Sequence, residues 1–375
     1  MAISAFSIDI MLPSFPSIQA GLDAPYELVQ WTITVYMAAA GIAQLVWGSA
    51  SDRFGRKPVL ATGLGLYLVG CLAAALAPDI VILLGARALQ GFGAAAAIVL
   101  SRAIIRDLFS GEDLARNLAL ATAIFSVGPI LAPLLGTAIA AAFGWQAIFG
   151  VLALFAASLL FFLSRTPETI ALRTPDALRL SVFARRTVRL FAHPQSRHFL
   201  LLSTVIMAAM LLILAATPRF YEAEFGISGT VFALFFAFHG LGIIVGQTAN
   251  RRLIPLVGTV KAMLCGNPVL VAAAAALLLL ALAGALNAWL TTALLTLFAT
   301  SYLIVFSNAA AMVLDPHGDI AGFAAAFHGF MSQIGAALIV SALVPFIGGS
   351  VAAFAAALLT ICAATLAGVV MWPGR

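Results

Sequence analysis

Long apolar stretches separated by short polar connections run along the whole chain. Each stretch could cross the ~30 Å hydrocarbon core of a bilayer as an α-helix that rises ~1.5 Å per residue. Continuous apolar runs of about twenty residues exclude a transmembrane barrel, whose strands alternate over about ten residues. Twelve stretches are predicted to be helices: 1–20, 28–50, 59–78, 80–104, 115–142, 146–164, 199–218, 229–250, 260–285, 288–312, 320–344 and 349–372.

The composition agrees with a helical membrane protein. Apolar residues make up 63% of the chain and charged residues 9%, and the mean hydropathy is +1.12. An ordinary soluble domain is about 25% charged, so a water-soluble globule is excluded. The connections leave no room for a soluble catalytic domain, and GxxxxGK[ST], HExxH, CxxC and GxSxG motifs are absent from the sequence. We therefore expect an all-α integral membrane protein that is not an enzyme and that uses no metal or cofactor.

The cysteines and the first residues give no sign of a secreted protein. Cys71, Cys265 and Cys362 all fall in apolar runs, so neither a disulfide framework nor a metal-ligand spacing is expected. No basic segment precedes the first apolar stretch and no small-residue cleavage site follows it. We therefore expect the first stretch to be a retained helix and not a signal peptide.

The positive charges predict the orientation of the chain. If the first helix runs from inside to outside, all of the 19 Lys and Arg residues except Arg87 and Arg219 lie on one membrane side or beside it. The positive-inside rule then places both termini in the cytoplasm of a multi-pass protein. These cations flank helix ends and do not cover one surface of a folded domain, so no nucleic-acid partner is expected.

One longer polar connection divides the predicted helices into six and six, as in transporters whose two bundles surround a central cavity. The predicted parts are an N-terminal bundle (1–164), a cytoplasmic linker (165–198) and a C-terminal bundle (199–375). Within the linker, apolar residues at helical spacing lie opposite Arg179, Arg185, Arg186 and Arg189. Such a helix could lie on the anionic inner leaflet or could be a solvated linker helix.

The connection after the second stretch contains glycines, cations and one acid. Gly48 would let a neighbouring helix approach closely, Asp52 could meet a helix N-terminus, and Gly55 would supply a tight turn. A loop made basic by the positive-inside rule alone would not explain an acid among cations between two glycines. The pattern therefore makes Gly48, Asp52, Arg53, Gly55, Arg56 and Lys57 candidate functional residues.

Two charged residues lie inside apolar stretches. A guanidinium at bilayer depth costs ~2.5 kcal/mol or more, so Arg87 is either functional, charge-paired or snorkelling to the interface. Asp9 is expected at a similar depth on the first helix. Burial and a nearby cation have opposite effects on a carboxyl group, so Asp9 could bind a proton in one conformation and release it in another. The alternative is a permanent ion pair of Asp9 with Arg87 that fixes the packing.

The fifth stretch combines small residues with proline. Gly128, Ala132 and Gly136 form an i, i+4 stripe, and Pro129 and Pro133 would bend the helix beside it. The stretch is interpreted either as a pivot or gate, or as ordinary close packing.

Polar side chains inside other stretches are candidates for a substrate cavity. They are Tyr36, Gln90, His239, Asn308 and His328. Both histidines stand in the tripeptide FHG, and a membrane histidine can serve either as a packing residue or as a proton carrier. The other side chains could equally form hydrogen bonds between helices.

Several of these motifs resemble a known family. Residues 48–57 are similar to the loop 2-3 signature of the major facilitator superfamily, and RALQG at 87–91 is similar to its fourth-helix motif. The stretch GPILAPLLG at 128–136 resembles the antiporter motif of drug exporters. The stretches IDIMLP, SDRFGRKPVL, TPET and ATPRFYEAEFGISG resemble the bicyclomycin and chloramphenicol (Bcr/CflA) branch of drug:proton antiporters.

The resemblance implies a major facilitator fold of twelve helices in two six-helix bundles that exports drugs in exchange for protons by alternating access. It implies that Asp9 and Arg87 couple transport to protons, and that Asp52, Arg53 and Arg56 stabilise the outward-facing state by bridging the inner ends of the bundles. The expected partners are small amphipathic molecules, protons and lipid, and the protein is expected to be a monomer in the bacterial inner membrane that confers antibiotic resistance. Two alternatives remain: export of an endogenous metabolite or siderophore, and a non-transporting receptor or scaffold.

Overall fold

The computed structural model describes residues 2–109, 111–170, 179–347 and 350–373. These residues are largely helical and contain no β-strand, which confirms the expected all-α class. The described α-helices are α1 (Ala2–Asp9), α2 (Phe15–Leu22), α3 (Tyr26–Phe54), α4 (Arg56–Ala75), α5 (Ile80–Leu108), α6 (Gly111–Phe143), α7 (Gln146–Ser164), α8 (Leu180–Ala192), α9 (Pro194–Phe225), α10 (Gly229–Val257), α11 (Thr259–Leu282), α12 (Ala288–Leu314), α13 (Ala321–Ile347) and α14 (Val351–Val370). Two short 3₁₀ segments, Leu12–Ser14 and Asp315–Ile320, precede α2 and α13.

Ten helices of the described chain are long and apolar enough to cross a membrane. They are α3, α4, α5, α7 and α9 to α14. Helix α6 adds a shorter described apolar stretch, Gly128–Phe143. The total of twelve spans therefore stays a prediction, whereas a multi-pass helical membrane protein is established.

The first predicted span is interrupted. Helix α1 ends at Asp9, the 3₁₀ segment Leu12–Ser14 follows, and α2 begins at Phe15. Pro13 explains the break, because a proline has no N–H to donate and its ring clashes with the carbonyl of the residue four positions earlier, which here is Asp9. The expectation of one continuous first helix was therefore wrong, and the interruption places Asp9 at a helix end.

The helices pack in two groups that meet mainly along two pairs. In the first group α5 packs against α3 and α4, α4 against α7, and α1 against α6. In the second group α12 packs against α10 and α11, α11 against α14, and α9 against α13. Helix α3 contacts α13, and α6 contacts α10, so these two pairs join the groups. Because α9 begins at Pro194, it includes the last residues of the predicted linker.

Helix α8 covers part of the C-terminal group of helices. Leu190 is buried, and the rings of Phe183 and Phe191 pack edge-on against Phe323 and Phe327 of α13, with centroid distances of 5.3 and 5.7 Å. Part of the apolar side of α8 is therefore packed on protein side chains, whereas Val188 on the same helix is 66% exposed.

Candidate functional site

Arg87 is fully buried in α5 and is held by three neighbouring groups. Its Nε donates to the carbonyl oxygen of Thr32 at 3.3 Å, and its Nη1 donates to the carbonyl oxygen of Ser7 at 3.1 Å and to Oε1 of Gln90 at 2.9 Å. The guanidinium carbon lies 4.3 Å from the centroid of the Tyr36 ring, which adds a cation–π contact. Arg87 therefore does not snorkel, and its charge is stabilised by dipoles and by an aromatic face.

Gln90 and Tyr36 belong to the surroundings of Arg87. Nε2 of Gln90 donates to Sγ of Cys71 at 3.0 Å, and the Tyr36 hydroxyl donates to Oγ of Ser4 at 3.3 Å. Both side chains are buried. The structure thus brings these two cavity candidates together with the predicted coupling residue inside the N-terminal group of helices.

Asp9 lies at the end of α1 and is 6% exposed. Within the described chain its carboxylate makes no hydrogen bond or ion pair, and in particular it does not pair with Arg87. Nη2 of Arg87 has no hydrogen-bond partner among the described residues either. A permanent ion pair between the two residues therefore does not describe this conformation, which holds a buried acid and a buried base apart.

Acids and a cation from the end of α3, the start of α4 and the end of α5 form a compact cluster. Nη1 of Arg56 lies 2.6 Å from Oδ1 of Asp52 and donates to Oγ of Ser51 at 2.6 Å. Nε of Arg56 lies 3.0 Å from Oδ2 of Asp107 at the end of α5. Asp52 therefore meets the side chain of Arg56, one helical turn along the chain.

The remaining loop cations also have partners in the N-terminal half of the chain. The Arg53 guanidinium lies over the ring of Phe54, 5.2 Å from its centroid. Nζ of Lys57 donates to the carbonyl oxygens of Ser164 at 3.0 Å and Thr166 at 2.7 Å. In this conformation the partners of Asp52, Arg53 and Arg56 lie in the N-terminal half, so the contacts expected to bridge the bundles are not the ones observed.

Two glycines of the predicted connection, Gly48 within α3 and Gly55 between α3 and α4, differ in their surroundings. Gly55 has φ of 109°, a value that side chains rarely adopt, so the expected tight turn is present between α3 and α4. A Cβ on Gly48 would lie 3.7 Å from Cγ1 of Val99, which is an ordinary contact. The expectation that Gly48 permits an unusually close helix approach was therefore wrong.

Helix α6 contacts both α1 and α10. It runs without interruption through Gly128, Pro129, Pro133 and Gly136. A methyl group on Gly136 would overlap the carbonyl oxygen of Ile10, in the interruption of the first span. A methyl group on Gly240 of α10 would lie 2.7 Å from Cγ1 of Ile130. The glycine and proline stretch is therefore packed between the helix break beside Asp9 and the C-terminal group of helices.

Asn308 and His239 lie within the C-terminal group. Nδ2 of Asn308 donates to Oδ1 of Asn250 at 2.7 Å, so the interhelical hydrogen bond considered for Asn308 is observed. His239 is stacked on Phe236 at 5.2 Å and lines a small cavity with Thr217, Tyr221 and other residues of α9, α10 and α12. Neither ring nitrogen of His239 has a well-formed hydrogen bond within the described chain.

His328 of α13 occupies a further, separate environment. Its ring lies 5.5 Å from that of Phe306, and it is close enough to Arg102 of α5 for an electrostatic interaction. The five cavity candidates are thus distributed over several sites, and Tyr36 and Gln90 are the two that the structure places together.

The sequence analysis did not predict a contact between the two groups of helices at their outer end. Nη1 of Arg219 in α9 lies 2.8 Å from Oε1 of Glu27 in α3. One turn further along α3, Nε2 of Gln30 donates to the carbonyl oxygen of Ala215 at 2.6 Å. A cleft with about 530 Å³ of empty volume borders these contacts and α14. The sequence feature that points to this contact is Arg219 itself. It is the one Lys or Arg residue predicted to lie on the outer side, where several acidic residues are also predicted.

Comparisons of the chain with known proteins all point to one family. A family model described as "Major Facilitator Superfamily" matches residues 1–340. The chain is 33% identical over 259 residues to a bicyclomycin resistance protein homolog of Haemophilus influenzae. The aligned residues cover 68% of this chain and 64% of the relative. It is 25% identical over 362 residues to multidrug resistance protein D of Escherichia coli, with 93% of this chain and 88% of the relative covered.

The solved structure of a D-xylose–proton symporter has the same fold, with a TM-score of 0.78 at 15% identity over 97% of this chain and 94% of the other. The match to the bicyclomycin resistance homolog spans about two thirds of that protein's length, at 64%. The family match over residues 1–340 and the shared fold confirm the resemblance that the motifs indicated. The chain therefore belongs to the major facilitator superfamily.

Proposed function

We propose that this protein exports small amphipathic compounds across the bacterial cytoplasmic membrane in exchange for protons, by alternating access. Asp9 binds and releases the proton, and Arg87 senses its charge. The proposed protein works as a monomer with both termini in the cytoplasm and needs no cofactor, because the proton gradient drives export.

The observation that carries this proposal is the separation of buried Asp9 from buried Arg87. Arg87 is fully buried, and Asp9, 6% exposed, has no ionic or hydrogen-bonding partner among the described residues. A buried carboxyl group holds a proton more strongly without a nearby cation than beside one. A change in the distance between Asp9 and Arg87 would therefore load or unload a proton.

The packing around the first helix offers a way to change that distance. Asp9 ends α1, and the next residue, Ile10, is in direct contact with Gly136 of α6. Helix α6 in turn touches Gly240 of α10 in the other group of helices. A rocking motion between the groups would therefore shift α6 against the interruption that holds Asp9.

The direction and the energy of transport fit an exporter. The chain is similar to proteins named for resistance to bicyclomycin and to several drugs, and export of toxic compounds is the simplest common basis for such names. Inward movement of one proton down a potential of ~100 mV supplies ~2.3 kcal/mol, which is enough for about fifty-fold accumulation against a gradient.

Efflux from proteoliposomes under an imposed pH gradient tests the proposal. Chloramphenicol and bicyclomycin are the first probes, and the variants are Asp9→Asn and the control Asp23→Asn. Asp23 is an exposed carboxylate at the end of α2 with φ of 46°, a conformation that Asn tolerates. We expect gradient-driven efflux from the parent and from Asp23→Asn, and loss of the gradient dependence in Asp9→Asn.

Efflux by the parent that ignores the gradient would contradict proton coupling. Normal uphill efflux by Asp9→Asn would contradict the role of Asp9. A receptor or scaffold predicts no flux of any probe.

A further inference from the structure

The hydroxyl group of Tyr67 joins α4 to α1. It lies 2.5 Å from Oγ of Ser7, and Oγ of Ser7 donates to the carbonyl oxygen of Ile3 one turn earlier in α1. A serine hydroxyl has a single proton, so the Tyr67 hydroxyl is the donor to Ser7. Both side chains are fully buried. Because a buried hydroxyl group without a partner is costly, this hydrogen bond specifies how α1 lies on α4.

The same residue of α1 is also held by α5. The carbonyl oxygen of Ser7 accepts from Nη1 of Arg87 at 3.1 Å, so Ser7 is bound through its side chain to α4 and through its backbone to α5. Helices α4 and α5 are closely packed at this level, since a methyl group on Gly93 would lie 2.5 Å from the backbone nitrogen of Tyr67. The two helices therefore form a rigid support for this part of α1.

Helix geometry explains why Asp9 does not reach Arg87. Successive residues of an α-helix are rotated by about 100°, so the side chains of Ser7 and Asp9 leave α1 in directions about 200° apart. The Ser7 side chain faces Tyr67, and that of Asp9 therefore leaves the helix on nearly the opposite side. The orientation of α1 that Tyr67 holds is thus one that keeps the acid away from the buried cation.

Asp9 lies between two fixed points of the chain. Ser7, two residues earlier, is held by α4 and α5, and Ile10, the next residue, is in contact with Gly136 of α6. Helix α6 also contacts α10 of the other group, so a rocking motion between the groups would shift Ile10 relative to Ser7. The residues between these points would then have to turn, and the hydrogen bond between Ser7 and Tyr67 opposes that turn.

Few charged groups face this part of α1, which packs against α5, α6 and α7. Helix α7 contains no titratable residue, and those of α6 lie in its first six residues, about 30 Å along the helix from Gly136. The next charge of α5 after Arg87 is Arg102, about 22 Å further along. The other titratable side chains near Arg87 are neutral at physiological pH, and they are Tyr36, Tyr67 and Cys71. Arg87 is therefore the nearby cation whose distance determines how strongly Asp9 holds a proton.

We propose that Tyr67 is a positioning residue of the proton-coupling site, whose hydrogen bond to Ser7 holds α1 in the orientation that separates Asp9 from Arg87. When this bond opens, α1 is free to turn, and the carboxylate is attracted to the guanidinium, whose Nη2 has no hydrogen-bond partner among the described residues. The inference rests on the proposed function, because it names a residue that controls the acid to which proton exchange is assigned there.

Modification by N,N′-dicyclohexylcarbodiimide measures the protonation of Asp9 without any transport substrate. This apolar reagent reacts with a carboxyl group in its protonated form. The purified protein is treated for a fixed time at a series of pH values, and mass spectrometry of the fragment that contains Asp9 gives the pH of half-maximal modification. Asp9→Asn supplies the background. The compared variants are Tyr67→Phe, Ser7→Ala and Tyr221→Phe.

Tyr67→Phe keeps the packed ring and removes only the hydroxyl group. We expect the pH of half-maximal modification to fall by about one unit, a tenfold weaker binding of the proton, because a nearer cation favours the ionised carboxylate. Ser7→Ala should shift it in the same direction. Tyr221→Phe is the matched control, because it removes a 2.6 Å hydrogen bond between the buried hydroxyl groups of Tyr221 and Thr292 in the other group of helices. This control should leave the pH of half-maximal modification unchanged.

A double-mutant cycle separates positioning from a general loss of stability. If Tyr67 acts through Ser7, then Tyr67→Phe has little further effect in a Ser7→Ala background, and thermal unfolding identifies any variant that fails to fold. A lowered unfolding temperature with no shift in the pH of half-maximal modification, a shift to higher pH, or additive shifts of the two substitutions would overturn the proposal. Absence of proton-driven efflux by the parent, with the modification shifted as expected, would contradict the proposed function and not the role of Tyr67.

Discussion

Arg219 and Glu27 form an ion pair of 2.8 Å between α9 and α3, and thereby join the two groups of helices at the predicted outer end. The guanidinium of Arg219 also lies 5.2 Å from the centroid of the Tyr26 ring. Its side chain is 39% exposed and that of Glu27 is 53% exposed. The pair is therefore solvated, and its contribution is expected to be modest and sensitive to salt.

Glu27→Gln is the first prediction. Ala215 is 1% exposed at this contact, so a membrane-impermeant thiol reagent reacts with a protein that carries Ala215→Cys and Cys265→Ser when the outer ends separate. Exposed pairs contribute about 0.2–1 kcal/mol, so Glu27→Gln should raise the labelling rate of that protein by up to about fivefold. The difference from the parent should disappear in ~1 M salt, where the Debye length is ~3 Å. Glu224→Gln, at an exposed acid of α9, is the control. An effect that persists at high salt would contradict an electrostatic role.

The sequence could predict those features of the structure that a single helix determines by itself. Arg87 was recognised as a buried functional candidate because a charge inside an apolar stretch is costly wherever that helix packs. Pro13 in the sequence indicates the interruption after Asp9, whereas the apolar length of residues 1–20 indicates one continuous helix. The structure follows the proline, because a missing N–H and a bulky ring disrupt a helix whatever the hydropathy of its neighbours.

The sequence did not predict contacts that need two helices in known register. The Glu27–Arg219 pair and the Asn308–Asn250 hydrogen bond depend on which faces of separate helices meet, and hydropathy does not specify this. The carboxylate of Glu168 caps the start of α4 by accepting the backbone N–H groups of Arg56 and Lys57, and this contact left one usable signal in the sequence. Gly55 begins a helix without a capping side chain, so an acceptor had to come from another segment.

Arg87→Lys should lose most of the transport although it keeps the charge. A lysine ammonium cannot reproduce the fork that reaches Thr32, Ser7 and Gln90 together. We expect initial efflux rates to fall at least about tenfold. The control is Arg165→Lys, at an exposed arginine whose guanidinium stacks on the ring of Phe161. Unchanged efflux by Arg87→Lys would show that the buried contacts of the guanidinium are not needed for the cycle.

Gly136→Ala should destabilise the protein because its methyl group would overlap the carbonyl oxygen of Ile10. Overpacking of this kind typically costs about 1–3 kcal/mol, which thermal unfolding in detergent would detect. Gly85→Ala in α5 has nothing within 4 Å of the added Cβ among the described residues, and alanine favours helix, so this control should be neutral or slightly stabilising. Equal unfolding temperatures for the two variants would argue against tight packing of α6 on the helix break.

His328→Gln should change the substrate profile more than the number of protons exchanged. His328 lies on α13 beside Phe306 and near Arg102 of the other group of helices, and among the described residues no hydrogen bond joins it to Asp9 or Arg87. Susceptibility of expressing cells to a panel of drugs measures the profile, and reversal potentials in proteoliposomes measure the stoichiometry. His198→Gln, at the inner end of α9, is the control. An unchanged profile would assign His328 to packing.

Glu168→Gln should change how stability depends on pH. Partial burial opposes ionisation of Glu168, but the backbone N–H groups that its carboxylate accepts prevail and lower its pKa below the ordinary value of 4.5. The contribution of Glu168 to stability is therefore fully present above that value and is lost as the pH falls through the lower, folded pKa. The parent should therefore unfold at a higher temperature than Glu168→Gln near pH 7, and the difference should shrink below about pH 4. Glu224→Gln, an exposed acid for which no cap is observed, should show no such convergence. A difference between the parent and Glu168→Gln that stays constant on acidification would mean that the glutamine acts through shape alone, and that the charge on the carboxylate does not hold the start of α4.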